Sequence, residues 1–367
     1  MSAISLKNIN VELGSGDEVF RLRDLSLEIE QGEFIVLVGP SGVGKSTILR
    51  VLAGLEPIQS GEIWMNGQRV DNKPAANREV AMVFQHHALY PHMSVAQNIG
   101  FSQTLKGISQ RDARLKVESV AQQLNIAHLL DSKPSALSGG QKQRVALGRA
   151  MLCQPQVFLF DEPLSNLDPM LRHHLRGELK QLHQRLNTTS IFVTHDQVEA
   201  IALADRIILF SERGIEQIGT PEALFNRPNN QYVAEFFAYP SINIFRAKLN
   251  PDGILLADHY LLPCAVPLQL QDPRINVGIR ARKLTVDEKH GIPCRVEYTE
   301  YLGDEMLVYL RVKGDDDLKV LSTAQANYQD GQALMLSASF DDMLFFSQDG
   351  KAIELANAAQ SDPILAS

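Results

Sequence analysis

The apolar run Phe34-Ile35-Val36-Leu37-Val38 leads directly into Gly39-Pro40-Ser41-Gly42-Val43-Gly44-Lys45-Ser46-Thr47, and this is followed by Ile48-Leu49-Arg50-Val51-Leu52-Ala53. No other stretch limits the possible folds as strongly. A buried strand, a glycine-rich loop and a helix in this order form the context of a phosphate-binding P-loop. Glycines let consecutive backbone N–H groups curl around an anion, and the helix that follows aims its positive end at the same point. Lys45 is then placed to reach the outer phosphates, and the Ser46 hydroxyl to help hold magnesium. These residues imply an α/β domain that binds a nucleoside triphosphate.

A chain of 367 residues is long for one core, so two domains are expected. The formal charge, 35 − 43 = −8, argues against a nucleic-acid-binding surface. No apolar run approaches the ~18 residues that span a bilayer, and Met1-Ser2-Ala3-Ile4 lacks the basic-then-apolar pattern of a signal peptide. Cys153, Cys264 and Cys294 are odd in number and read as reduced, mostly buried thiols of a cytosolic protein.

From Ile4 to Ile29 apolar and polar residues alternate, which predicts antiparallel strands around a turn at Gly14–Asp17. Glu62 to Gly67 reads as a short strand closed by an Asn-Gly turn. Ala81 to Phe84 is a buried strand ending at Gln85. A polar, helical insertion follows over about 90–155, with Val117, Val120, Ala121 and Leu124 on one face. Within it, Ser138 and Gln141 have capping-box spacing and predict a helix start. Val157-Phe158-Leu159-Phe160 is a continuous apolar strand, as a sheet covered on both faces requires. Asp168-Pro169 supplies an N-cap and an N1 proline, and Leu171, Leu175, Leu179, Leu182 and Leu186 form a buried stripe. Ile191 to Val193 and Ile207 to Phe210 are further strands. Past Tyr239-Pro240 the pattern changes to short alternating segments punctuated by Gly303, Gly314 and Gly331, so residues 239–367 are expected to form a small all-β domain. His86-His87 and His173-His174 are expected at the surface, since adjacent histidines do not share a helix face. Asp315-Asp316-Asp317 reads as a solvated turn.

Open α/β sheets present the carboxyl ends of their strands to the ligand. Gln85, Asp161-Glu162 and His195 each fall at such an end, as the P-loop does, so they should converge. Asp161 closes an apolar run, where an acid coordinates magnesium beside a P-loop, and Glu162 could orient or deprotonate an attacking water.

The P-loop, Gln85, Leu137-Ser138-Gly139-Gly140-Gln141, Phe160-Asp161-Glu162-Pro163, Ser165-Asn166-Leu167-Asp168 and His195 occur in the order found in ABC transporter ATPases. The chain resembles that family over residues 1–238. Ala88 to Val95 and Val193 to Ala200 resemble the carbohydrate importer branch, which includes the maltose and sn-glycerol-3-phosphate import ATPases. Gly278-Ile279-Arg280 and Glu300 to Gly303 are similar, more loosely, to the OB-like (TOBE-type) regulatory domain of that branch. The resemblance implies an ABC ATPase domain with a mixed sheet core, an antiparallel β subdomain and a helical subdomain. It implies that ATP is held by Gly39, Pro40, Ser41, Gly42, Val43, Gly44, Lys45, Ser46 and Thr47, and that Ser46, Gln85 and Asp161 serve Mg2+. Glu162 would be the catalytic base, with Gln85 beside it and His195 steadying the γ-phosphate and water. Ser138, Gly139, Gly140, Gln141 and Asp168 would meet nucleotide bound by the second subunit of a homodimer. The implied partners are transmembrane permease subunits and, indirectly, a solute-binding protein, at the cytoplasmic face of a bacterial inner membrane.

Three positions depart from the family pattern. Leu13 stands where an aromatic residue usually stacks on adenine, His86-His87 replaces Asn-Tyr, and Arg280-Ala281-Arg282 replaces Arg-Pro-Glu. An importer ATPase for a polyamine, sulfate or iron shares every catalytic motif and stays open as an alternative. A soluble ABC protein of ribosomes or DNA is disfavoured by the single cassette and acidic charge, and an inactive scaffold by intact Glu162 and His195.

Overall fold

The computed structural model describes residues 2–13, 20–250, 252–256, 260–262, 272–287, 291–312, 317–323 and 326–355. The expected turn at Gly14–Asp17, the side chain of Leu13, Cys264, and Asp315 with Asp316 lie outside the described residues. The chain divides after Pro221 into two units, 1–221 and 222–367.

In the first unit, β1 (Ser2–Leu13) and β2 (Phe20–Glu30) form an antiparallel sheet with β4 (Ser60–Met65) and β5 (Gln68–Arg69), in the order β2-β1-β4-β5. The hairpin between the last two turns on Asn66 and Gly67, both at positive φ, as the Asn-Gly signal predicts. The second sheet holds β3 (Phe34–Val38), β6 (Val80–Val83), β7 (Val157–Asp161), β8 (Thr189–Thr194), β9 (Arg206–Ser211) and β10 (Gly214–Gly219). Its order is β10-β9-β3-β8-β7-β6, parallel except for the β10 edge.

Every residue of β3, β7 and β8 is buried, because the sheet is covered on both faces. On one side Ile35, Leu37, Leu159, Ile191 and Val193 join α1 (Lys45–Ala53) and the first sheet in one core. On the other, Phe192 lies tilted against both Phe34 and Phe160, and His183 of α5 (Pro169–Leu186) meets Phe34 edge-on. The insertion is built from α2 (Val95–Leu105), α3 (Gln110–Gln123) and α4 (Gly139–Leu152), with Val117, Val120 and Ala121 buried as the spacing predicts. The leucine stripe of α5 is shorter than expected: Leu175, Leu179 and Leu182 are buried, whereas Leu171 is half-buried and Leu186 is 36% exposed. The helix ends there because Asn187 takes the left-handed conformation. A short α6 (Gln197–Leu203) follows β8.

The second unit begins with α7 (Pro221–Asn226) and α8 (Gln231–Phe236). Ala234 and Ala238 pack on Ile242 and Phe346, and Gln231 N–H donates to Gly350 O, so these helices belong with the β-strands that follow. Eleven described strands from β11 (Asn243–Asn250) onward form two antiparallel sheets, of six and five strands, around one shared apolar core. This is the all-β C-terminal domain expected from the alternating pattern.

Candidate functional site

Five strand ends point the same way in a parallel sheet, and four of them carry the residues singled out above. Val38 of β3 pairs with Thr194 of β8, and Asp161 of β7 pairs with Val193. The P-loop, Glu162, His195 and, two residues past β6, Gln85 therefore emerge along one edge. Topology alone brings them together.

Gly44 has φ 91°, a backbone that residues with a Cβ rarely adopt, and it turns the loop into α1. Lys45 is the first residue of that helix and is 4% exposed. Its Nζ donates to Gly39 O at 2.9 Å and to Pro40 O at 2.6 Å, folded back over the loop. Burial holds its pKa below the usual lysine value, against the opposing pull of the Glu162 and Asp161 carboxylates. Ser46 Oγ donates to Asp161 Oδ1 at 2.6 Å, across from β7.

Glu162 has φ 45°, left-handed for a residue with a side chain. Its N–H donates to Val193 O at 3.1 Å, which anchors the turn to β8. Its Oε2 lies 3.4 Å from Gln85 Nε2 and 3.3 Å from His195 Nδ1. The His195 side chain is 51% exposed while Glu162 is 17% exposed, so a partly buried carboxylate meets a half-exposed imidazole. Ser165 completes the arrangement: its Oγ donates to Glu162 O at 3.0 Å and accepts from Gln85 Nε2 at 3.2 Å.

The donor set suits magnesium. A serine hydroxyl, one buried carboxylate and an amide oxygen are hard oxygen ligands, and magnesium keeps waters and substrate phosphates in its remaining positions. Among the described residues no group of three or more His, Cys, Asp or Glu gathers to hold a metal unaided. Ser46, Asp161 and Gln85 are the residues that could hold the ion.

Ser138 and Gln141 form the expected capping box: Gln141 N–H donates to Ser138 Oγ at 3.3 Å and Ser138 N–H to Gln141 Oε1 at 2.9 Å. The box engages those two N–H groups and leaves the amides of Gly139 and Gly140 for another acceptor. Gly140 lies so close to α5 that a Cβ on it would sit 2.6 Å from Leu171 Cδ2. Asp168 caps α5, its Oδ1 accepting from Leu171 N–H at 2.9 Å. The hydrogen bonds of Ser138 and Gln141 stay within their own helix start, away from residues 39–47 of the same chain.

The histidine expectation needs one correction. His86, His173 and His174 are exposed, but His87 is half-buried with Nδ1 2.7 Å from Gln143 Oε1. The backbone turns inward there, with φ 61° at His87 and 44° at Ala88. Arg149 fixes the turn by donating to Ala88 O and His87 O.

Comparison with known proteins adds a second line. The ABC transporter family model matches residues 22–165, and the TOBE domain model matches residues 277–346. The sulfoquinovosyl glycerol transport ATP-binding protein SmoE of Agrobacterium fabrum is 45% identical over 84% of this chain and 87% of its own. The sn-glycerol-3-phosphate import ATP-binding protein UgpC of Chromobacterium violaceum is 43% identical, covering 98% of this chain and 99% of its own.

This chain is an ABC transporter ATP-binding protein.

Among solved structures, a dimeric post-hydrolysis state of the ATP-binding cassette MJ0796 bound to ADP and Pi matches with a TM-score of 0.54. It is 28% identical, and the match covers 59% of this chain and 98% of that one. As an ABC ATPase with a C-terminal TOBE domain, the chain binds ATP and couples its hydrolysis to transport. Sequence reasoning gave no separate part to two side chains packed beside the segment that carries His195, Arg172 and Glu199. Arg172 lies on α5 and Glu199 on α6. Neither carries a local signal for the contacts it makes.

Proposed function

We propose that this ABC protein powers a bacterial importer for a sugar or a sugar phosphate of the sn-glycerol-3-phosphate kind. It would work as a homodimer against two permease subunits fed by a solute-binding protein, peripheral to the cytoplasmic face of the inner membrane. No described helix is long and apolar enough to cross a membrane; in this reading the permease partners supply the path for solute. The solute class is supported by relatives that match along nearly their whole length. The sulfoquinovosyl glycerol relative supports a glycosyl glycerol as a second solute class.

One observation carries the chemistry: Glu162 Oε2 meets both Gln85 and His195, one residue beyond the carboxylate that takes the Ser46 hydroxyl. In this reading residues 39–47 cradle the phosphates and Lys45 leaves the Gly39 and Pro40 carbonyls to reach them. Glu162 takes a proton from the attacking water, with His195 and Gln85 orienting it. Bound Mg2+, held by Ser46, Asp161 and Gln85, would supply charge neutralisation at the phosphates. The amides of Gly139 and Gly140, which the capping box leaves for another acceptor, fit an anion brought by a second subunit. One such helix start and one P-loop per chain give two complete sites in a two-fold dimer.

Glu162→Gln is expected to keep ATP affinity while lowering kcat by roughly 100-fold or more. Turnover at the wild-type rate would remove Glu162 from this role. For transport, tagged protein purified from detergent-solubilised host membranes should bring down permease subunits. Recovery of ribosomes alone would overturn the importer assignment and leave the ATPase chemistry intact.

A further inference from the structure

Arg172 sits one helical turn inside α5, its N–H donating to Asp168 O at 2.9 Å. Side chains on a helix lean toward its N-terminus, and this one reaches back over the 165–168 loop. Its Nη2 donates to Ser165 O at 3.1 Å and to Leu167 O at 3.2 Å. The rest of the guanidinium faces the segment after β8. Nη1 lies 3.5 Å from Asp196 Oδ2 and Nε lies 3.8 Å from Glu199 Oε1.

Those two acids fix the backbone on either side of His195. Asp196 Oδ1 accepts from Val198 N–H at 2.7 Å and Glu199 N–H at 3.2 Å, so its other oxygen is the one turned to Arg172. Thr194 Oγ1 donates to Glu199 Oε2 at 2.6 Å and accepts from Asp196 N–H at 3.0 Å. Glu199 is 3% exposed, and burial raises its pKa against the pull of Thr194 and Arg172. A buried carboxylate of this kind needs a cation nearby.

The contact is uneven. Arg172 is firmly bonded to the 165–168 carbonyls but falls short of hydrogen-bond distance on the Glu199 side. Its Nε is buried and has no hydrogen-bond partner among the described residues. A buried donor left unmade costs free energy. A shift of about 1 Å would bring Nε to the distance of an ordinary charge-assisted bond.

We propose that Arg172 is a positioning residue that clasps the 165–168 loop to the segment carrying His195, so that movement of the loop draws His195 toward Glu162. The proposal rests on the catalytic reading of Glu162 and His195 given above. In a dimer, contact of Asp168 with the second subunit would displace the loop, and the guanidinium would follow the carbonyls of Ser165 and Leu167. Nε would then close on Glu199, moving the segment after β8 as a unit. Ser165 ties the same loop to Glu162 and Gln85, so both ends of the catalytic pair respond to one displacement.

The test is steady-state ATP hydrolysis by the full-length chain carrying Arg172→Met, Arg172→Lys or His195→Ala, and the Arg172→Met/His195→Ala pair. Arg172→Met should lower kcat by roughly 10-fold or more with KM for ATP within about threefold. Added to His195→Ala it should cost less than about twofold, because the two act through one route. Arg172→Lys keeps the charge and should recover part of kcat. Should Arg172→Met fail to fold, Glu199→Gln preserves the size and the acceptor for Thr194 and enters the same double-mutant comparison. A kcat within about twofold of wild type, a change confined to KM, or losses that multiply in the pair would overturn the clasp. Full activity in His195→Ala alone would instead overturn the catalytic reading on which the clasp depends.

Discussion

Replacing Lys45 by Met separates what the ammonium does for the fold from what it does for nucleotide. Without ATP, the substitution removes the two bonds to Gly39 O and Pro40 O. The Pro40 carbonyl is on an exposed residue and can turn to water, whereas Gly39 is buried. An unpaired buried carbonyl costs about 1–3 kcal/mol, and much of that is offset because an ammonium no longer has to be buried. The unliganded variant should therefore lose no more than about 2 kcal/mol. ATP changes the comparison. At an ATP concentration of about 100 Kd, binding stabilises the wild type by about 2.7 kcal/mol. One charge-assisted bond to phosphate contributes about 1.5–3 kcal/mol, so its loss raises Kd by up to about 100-fold. At the same ATP concentration the variant should then gain only about 0.4 kcal/mol. Urea unfolding of both proteins with and without ATP measures the four numbers. A variant that retains more than about 2 kcal/mol of ATP-dependent stabilisation would refute the placement of Lys45 on the phosphates.

Three further outcomes can be checked directly. Gly140→Ala puts a methyl 2.6 Å from Leu171 Cδ2; overpacking of ~1–3 kcal/mol is offset by ~1 kcal/mol of helix propensity, so urea unfolding should show a loss of at most ~2 kcal/mol. His183 is buried against Ser190, and burial lowers its pKa. The unfolded chain therefore binds the proton first, and stability present above about pH 6.5 declines as pH falls through that value; His183→Gln should flatten the slope measured by denaturation between about pH 5 and 6.5. Burial pushes the Cys294 thiol up to about 11. At pH 8 in the folded protein, mass-spectrometric mapping should show its alkylation at least about 100-fold slower than in urea, and equal rates would contradict its burial.

The parts of this fold that could be read in the sequence are those specified within a dozen residues. The P-loop, the capping box at Ser138 and Gln141, the Asp168-Pro169 helix start and the Asn66-Gly67 turn each carry their own local chemistry. The apolar run ending at Asp161 announces a sheet covered on both faces, and from strand ends alone Gln85, Glu162 and His195 could be expected to converge. What the pattern could not give were contacts set by the packing of separate elements. His87 turns inward because Arg149, two elements away, holds its carbonyl. Leu186 continues the leucine spacing of α5, yet Asn187 ends the helix and leaves it exposed. Arg172 and Glu199 meet across α5 and α6, and nothing in either segment's spacing reports the other. The adenine-stacking question raised by Leu13 concerns a side chain outside the described residues.

The left-handed backbone at Glu162 sets stability and turnover against each other at one position. A non-glycine residue held there stores of order 1 kcal/mol or more, and glycine would release it. In a library selected only for folded, soluble protein, position 162 should drift toward glycine or asparagine. Selection for growth on the imported solute should restore glutamate and nothing else. The two enrichment profiles would diverge most sharply at this residue, so a scan comparing them would test the proposed role of Glu162 without any assay of ATP hydrolysis.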